Sequence, residues 1–385
     1  MTILQKFLER ERQGLDLRLW RSLWLAVGSL LRAGDLRAAY LGRHCERATT
    51  QKHRIKALDR LLGNPRLHRH LGRLYAGLAR LLIRESQSVV VLVDWTQIDA
   101  QHHALVGAVP LGGRALPILC HVHAKAKVPS RAMHRRFLEE LSQVLPKGCI
   151  PILVTDAGFQ NTWVADVQKL GWHYVARLRH QTCVRKPGSN EWIPNKELHR
   201  SASTRPRSLG YFEVGKHVTR NRVVSRLVLA RRPPKQRHRK GRCGKRLMGG
   251  GTNRLSKQHK EPWLLQTNLD CSAVNIINYY ALRMQIEETF RDAKSRWKLD
   301  AVRSSMPQRI AVILLIASLG LFAVNLVGLA AEKQGLHRQL QANTTRRRVI
   351  SHFLLGVLLV TTQTSLGAEL LLDALPSHHH YCAIT

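Results

Sequence analysis

Apolar and polar positions follow two rhythms along this chain. Up to about residue 85 the spacing is helical. Over Thr50 to Leu62, Lys52, Lys56 and Arg60 share one face while Ile55, Leu58, Leu61 and Leu62 share another, and Gly63-Asn64-Pro65 ends the run. A second helix is predicted over Leu67 to Ile83, with Arg69, Arg73 and Arg80 along it. From Ser88 the rhythm becomes that of buried strands: Val89-Val90-Val91-Leu92-Val93 ends in Asp94, and Ala104 to Val109 and Leu116 to Val122 follow, separated by a turn at Gly112-Gly113. Ser130 to Val144 returns to helical spacing, with Phe137, Leu138, Leu141 and Val144 inward. Ile150 to Val154 is a fourth strand ending at Thr155-Asp156, Asn161 to Leu170 a helix, and Tyr174 to Leu178 a fifth strand. Three strands, a helix, then strand, helix and strand is the order of a ribonuclease-H-like α/β core.

From Cys183 to Glu261 the chain is short-ranged, alternating and turn-rich, with strands expected at Tyr211 to Val214 and Arg222 to Leu229. This reads as a β-rich insertion. Trp263 opens an apolar strand after it, and helical spacing resumes over Tyr279 to Lys294. Ile310 to Ala331 is almost unbroken apolar sequence, long enough to cross a bilayer. Ser318 and Asn325 interrupt it and Gly320 and Gly328 suit close packing, so the expectation is a helix buried on all sides. Phe353 to Val360 is too short to span.

Charge sharpens this picture. The 385 residues carry 62 Lys+Arg against 25 Asp+Glu, a formal net charge of +37. Such an excess repels itself unless a polyanion compensates it, and nucleic acid rewards dense Lys and Arg through counterion release. Arg231 to Lys260 holds twelve Lys or Arg and no acid. The seven cysteines are scattered without a Cys-x-x-Cys pair, which predicts reduced thiols and no zinc site. The N-terminus turns charged at Lys6, unlike a secretory leader. The expected division is a helical DNA-binding domain at 1–85, a catalytic domain formed by 86–182 with 262–332, the basic β-rich insertion at 183–261, and a helical C-terminal region at 333–385. The basic helical faces also admit a plainer reading as solvated surface.

The candidate chemistry lies in three acids. Asp94 and Asp156 each follow a hydrophobic strand, where open α/β sheets place catalytic groups, although such residues also serve as turn caps. In the helical run, Tyr280, Arg283, Glu287 and Lys294 are spaced by three, four and seven, which keeps them within a stripe of roughly 60° on one continuous helix. Leu282, Ile286, Phe290 and Ala293 form the core-facing stripe beside it. Glu288 lies about 100° away from its neighbour, so Glu287 is the better third acid. Asp99 and Asp292 read as local polar residues. Three converging carboxylates can hold two Mg²⁺ ions about 4 Å apart, one activating a hydroxyl or water and one stabilising a leaving oxygen. His121 and His123 share a strand face but lack a third ligand nearby.

The pattern Tyr280-x2-Arg283-x3-Glu287-x6-Lys294, with Val91-Leu92-Val93-Asp94-Trp95-Thr96 and Val154-Thr155-Asp156-Ala157-Gly158-Phe159, resembles the DDE transposases of bacterial insertion sequences. The branch it resembles is the insertion-sequence-four family, over residues 1 to about 335. The resemblance implies a ribonuclease-H-like fold with a β-insertion before the third acid, and metal-dependent cut-and-paste transposition. Asp94, Asp156 and Glu287 would be catalytic and metal-binding, with Mg²⁺, or Mn²⁺ as a substitute. Tyr280, Arg283 and Lys294 would grip phosphates near the transferred end, and Trp263 would stack a flipped base. The partners implied are the inverted-repeat ends and the target DNA, engaged by a homodimer in the bacterial cytoplasm, on the nucleoid, with no membrane. Arg177 and Arg179 are weaker candidates for backbone contact. The alternatives are a ribonuclease-H-like nuclease without strand transfer, a membrane-associated basic protein anchored by Ile310 to Ala331, and a nucleic-acid-binding protein without catalysis.

Overall fold

The computed structural model describes residues 2–127, 130–179, 182–216, 222–232, 261–342, 344, 347–362 and 367–382. The basic run is therefore described only at Arg231 and Arg232, and the side chains of His378-His379-His380 lie outside the described residues, as do Cys243 and the side chain of Cys382.

The chain opens with five helices: α1 (Thr2–Phe7), α2 (Leu17–Ala33), α3 (Ala38–Arg43), α4 (Gln51–Leu62) and α5 (Pro65–Leu82). Strands β1 (Ser88–Gln97), β2 (His102–Pro110) and β3 (Ala115–Ala124) lead to α6 (Arg131–Val144), β4 (Ile150–Thr155), α7 (Asn161–Lys169) and β5 (His173–Arg177). Then come β6 (Cys183–Arg185), β7 (Ile193–Pro194), α8 (Asn195–Leu198), β8 (Arg207–Val214), β9 (Val223–Ala230) and β10 (Trp263–Thr267). The last helices are α9 (Ala273–Leu282), α10 (Met284–Trp297), α11 (Pro307–Lys333), α12 (His352–Thr361) and α13 (Ala368–Cys382). The result is a mixed α/β protein. Two compact units divide it: Met1–Ile152 with Leu282–Thr385, and Leu153–Ala281.

Local chemistry explains the helix ends in the first unit. Asp16 accepts from Leu19 N at the start of α2, and Gly34 closes that helix at φ +60°, a conformation in which a side chain would be strained. Asn64 caps α5 through Arg66 N and Leu67 N, with Pro65 at its first position, where no amide partner is needed. Strands β1, β2 and β3 form an antiparallel meander, pairing Asp94 with Val106 and Thr96 with Ala104. The β1 strand runs three residues beyond Asp94, correcting the expectation that it ends there. Trp95, Thr96 and Gln97 continue the ladder opposite Leu105, Ala104 and His103, as aromatic and β-branched residues favour.

The centre of this unit is α11. It is long and apolar enough to cross a membrane, but 89% of its apolar window is buried within the protein. It contacts α2, α4, α5, β3, α12 and α13. Helix α12 crosses it so closely that a Cβ on Gly328 would lie 2.0 Å from the His352 carbonyl oxygen, and one on Gly356 1.8 Å from that of Val324. Two glycines therefore set the α11–α12 approach. Helices α2, α4 and α5 and the C-terminal helices α12 and α13 pack on this same core helix.

In the second unit β5, β10, β9, β8, β6 and β7 form a continuous antiparallel ladder, joined at β10 to β5 by Thr267 opposite Val175. One face buries Leu178, Val184, Phe212, Val214, Leu227, Leu229 and Leu264. The strands of the expected insertion thus extend the ladder that begins with β5 and β10. Among the described residues, Cys45, Cys120, Cys149 and Cys271 are free thiols.

Candidate active site

In the first unit β1, α10 and the residue before α10 bring together Asp94, Arg283, Glu287 and Lys294. The seating of α10 comes from a stripe of polar residues on its inner side. Gln285 Oε1 accepts from Leu111 N at 3.2 Å. Thr289 Oγ1 accepts from Ala115 N at 2.8 Å and donates to Ala115 O at 2.9 Å. Asp292 accepts from Arg114 Nε at 2.6 Å. Leu111 and Arg114 belong to the β2–β3 turn, and Ala115 is the first residue of β3. Ile286, Phe290 and Ala293 are buried as expected, while Leu282 is only partly so. This clamp fixes the rotation of α10 about its axis and hence the direction of the charged stripe.

The expected continuous helix is interrupted. Tyr280 lies on α9, Arg283 between the helices, and Glu287 and Lys294 on α10. Arg283 keeps right-handed helical dihedrals, but Ile286 N closes on Arg283 O in a tighter three-residue turn. The four-residue spacing between Arg283 and Glu287 survives this irregularity, and the two pair directly.

Arg283 also donates through Nη1 to Asp94 Oδ2 at 2.9 Å. One guanidinium therefore spans two carboxylates that are 189 and 4 positions away in sequence. The Arg283 side chain is 14% exposed, Asp94 18% and Glu287 43%, so the bridge is partly desolvated and its charge-assisted bonds are strengthened. Asp94 Oδ1 accepts from Trp95 N at 2.9 Å. Glu288, the rival acid, instead pairs with Arg291. Asp99 accepts from Gln101 N and His102 N in a local turn, and Asp292 belongs to the clamp.

A cavity of about 480 Å³ opens beside this bridge, lined by Asp94, Trp95, Thr96, Glu287, Lys294 and Asp300 among others. Lys294 Nζ donates to Oγ1 of the buried Thr96 at 3.2 Å. Burial pushes the Lys294 ammonium below the usual lysine range, and the nearby Asp300 charge opposes that shift. Behind Trp95 lie His123 and His134, with ring centroids 5.8 and 6.0 Å away. Burial and the neighbouring His121 push His123 down to about 4, and the His121 hydrogen bond pulls the Glu140 carboxyl down to about 2. Among the described residues no group of three or more His, Cys, Asp or Glu gathers closely enough to hold a metal ion, at His121 and His123 or elsewhere. The Asp94–Glu287 pair nevertheless fits a hard divalent cation in kind: its donors are carboxylate oxygens, already organised around a positive charge.

The second unit carries the other candidates. Asp156 follows β4, and its Oδ1 accepts from Gly158 N at 2.8 Å in a turn leading to α7. Trp263 is half-buried at the start of β10; the Tyr280 ring meets it edge-on at 4.7 Å, and the Arg232 guanidinium lies over it at 4.5 Å. Tyr280 itself is buried. Arg179 donates to Glu261 at 2.5 Å and Arg177 approaches the same oxygen at 3.7 Å, so both strand-end cations are engaged by an acid. In the first unit, Lys52, Lys56 and Arg60 stand exposed on α4, opposite the buried Leu58, Leu61 and Leu62.

Sequence reasoning missed Thr96, Arg232 and the Gln285–Thr289 part of the clamp. Two signals were present. Thr96 shares the strand face of Asp94, and Gln285, Thr289 and Asp292 recur at helical spacing.

A mixed α/β chain with paired acids on a strand and a helix is a candidate phosphoryl-transfer enzyme. The Transposase DDE domain family matches residues 85–326, more than half of the chain, and the chain belongs to that family. Transposases of this kind act on DNA and use divalent metals. No curated protein matches the chain.

Proposed function

We propose that this chain is a cut-and-paste transposase of the insertion-sequence-four branch, with a ribonuclease-H-like core, that cleaves DNA at element ends and joins them to target DNA. The observation that carries this reading is the Arg283 bridge between Asp94 and Glu287 beside Lys294, within the segment that matches the family. Asp94, Asp156 and Glu287 would hold two divalent metal ions, Mg²⁺ or Mn²⁺. When bound, the metals supply activation of a water or 3′-hydroxyl and stabilisation of the leaving oxygen.

The chain's own residues bind and orient. Arg283 exchanges its carboxylate partners for phosphate oxygens, which offer the same bidentate geometry. Lys294 holds a second phosphate as a point charge. Trp263 stacks a displaced base once Arg232 moves off its face, and Tyr280 fixes the edge of that indole. Lys52, Lys56 and Arg60 contact duplex backbone from α4, within residues 1–85 acting as the DNA-binding region. Residues 86–182 with 262–332 act as the catalytic region, 183–261 as the insertion and 333–385 as the C-terminal region. A homodimer on paired ends, in the bacterial cytoplasm on the nucleoid, completes the reading.

The test is Mg²⁺-dependent nicking and strand transfer on duplexes carrying the DNA that flanks the reading frame. Asp94→Ala, Asp156→Ala and Glu287→Gln should each abolish both steps. If all three variants cut like the parent, the site is wrong; if the parent cuts without joining, the chain is a nuclease.

A further inference from the structure

We infer that Thr96 is a positioning residue for Lys294, aiming its ammonium at DNA phosphate; this rests on the proposed transposase reading. Thr96 and Asp94 lie two apart on β1 and so face the same side of the strand, toward the cavity. Thr96 is a buried residue, and Lys294 Nζ reaches its hydroxyl at 3.2 Å from a position 198 residues away. A lysine has a long flexible stem, and its ammonium keeps full mobility unless something accepts its hydrogen bonds. Burial already disfavours the Lys294 charge, and Asp300 supplies the opposing attraction. The hydroxyl adds a fixed acceptor without adding a second negative charge that would compete with phosphate. An ammonium has three donors, so one bond to Thr96 leaves two for phosphate oxygens. Thr96 thus sets where the cation points, while Asp94 on the same strand face stands beside the scissile bond.

Thr96→Val keeps the branched shape and removes the acceptor, and Thr96→Ser keeps the hydroxyl. Two measurements apply. The first is the rate at which an amine-reactive reagent labels Lys294 in the DNA-free protein, read by mass spectrometry. The second is binding and Mg²⁺-dependent nicking of a duplex oligonucleotide copied from the DNA flanking the reading frame. Thr96→Val should label several-fold faster and raise KM about ten-fold with little change in kcat, the size of one misplaced charged contact. Thr96→Ser should restore both. In a Lys294→Met background, Thr96→Val should add no further loss of DNA affinity, which a general folding defect would not mimic. Unchanged labelling in Thr96→Val, a Ser variant as impaired as Val, or additive losses in the double variant would each overturn the inference. If the parent protein neither binds nor nicks the duplex, the transposase reading fails, while the labelling rates still decide whether Thr96 holds Lys294.

Discussion

At the scale of single residues, the position of Arg283 has a direct electrostatic consequence. Its guanidinium shares a single positive charge between two carboxylates, leaving the trio with a net negative charge. On the proposed reading, a divalent cation would compete with Arg283 for the same oxygens, and phosphate would compete for Arg283. Arg283→Gln removes the internal cation. It should raise the affinity of the DNA-free protein for Mn²⁺ about ten-fold by calorimetric titration, while weakening DNA binding. An unchanged Mn²⁺ affinity would show that the bridge does not oppose the metal. A second consequence concerns acid stability. His123, held near 4, binds its proton less readily in the folded chain than in the unfolded one. The unfolded state then takes up more protons as pH falls from about 6.5 to about 4, and stability declines over that window, having been full above it. The Glu140 carboxyl, held near 2 by His121, continues the loss from its ordinary range down toward 2. His123→Phe should keep the packing on Trp95 and flatten the first decline by about 2 kcal/mol, visible as a smaller shift of the urea midpoint between neutral pH and pH 4.

At the scale of elements, the direction of the charged stripe depends on how α10 is seated. Its apolar face is enough to bury the helix, but apolar contact alone leaves its rotation poorly defined. The Thr289 hydroxyl, bonded to both the N–H and the carbonyl of Ala115, and the Asp292–Arg114 pair define it. Thr289→Val has nearly the same volume and leaves two buried backbone groups without that partner. It should cost about 1–3 kcal/mol in thermal unfolding and lower nicking more than DNA binding. A variant that melts earlier but nicks at the parental rate would show that the clamp is structural only. The same comparison explains which parts of the fold were legible. Strands and helices over residues 50–178 were readable because their periodicity is local, and the apolar run at Ile310 to Ala331 indicated a buried helix. The interruption at Arg283 was not readable, since no proline or glycine marks it. The clamp was hidden for a different reason: Arg114 and Asp292 are 178 positions apart, and nothing in either neighbourhood announces the other. Asp94 was found as a candidate, but its place inside β1 depends on pairing with β2, which hydrophobic pattern alone does not report.

At the scale of the whole molecule, charge is the dominant property. A formal +37 over 385 residues cannot be offset internally, because only 25 acids are present. The described structure shows where several of those acids go. Glu11 engages Arg73 and Arg80, Glu261 engages Arg177 and Arg179, and Glu213 engages Arg185 and Arg222. Acids are thus spent on particular arginines in each unit, and Lys52, Lys56 and Arg60 stay exposed. An excess of this kind supports nonspecific as well as specific DNA binding, and the two separate by their salt response. With six or more phosphates neutralised, log affinity for duplex DNA should fall against log salt with a slope of about −5 or steeper. Lys52→Ala with Lys56→Ala and Arg60→Ala should make that slope shallower by about 3 if α4 lies on the backbone, and should leave thermal stability unchanged because these side chains cover no core. A slope identical to the parent would place the DNA elsewhere and return α4 to the role of a solvated scaffold helix. The acids at Asp94 and Glu287 give the internal comparison. Their removal should leave the salt slope intact or steepen it while abolishing cleavage, because the proposed function assigns electrostatic capture of DNA and chemistry on its phosphates to different residues of the same chain.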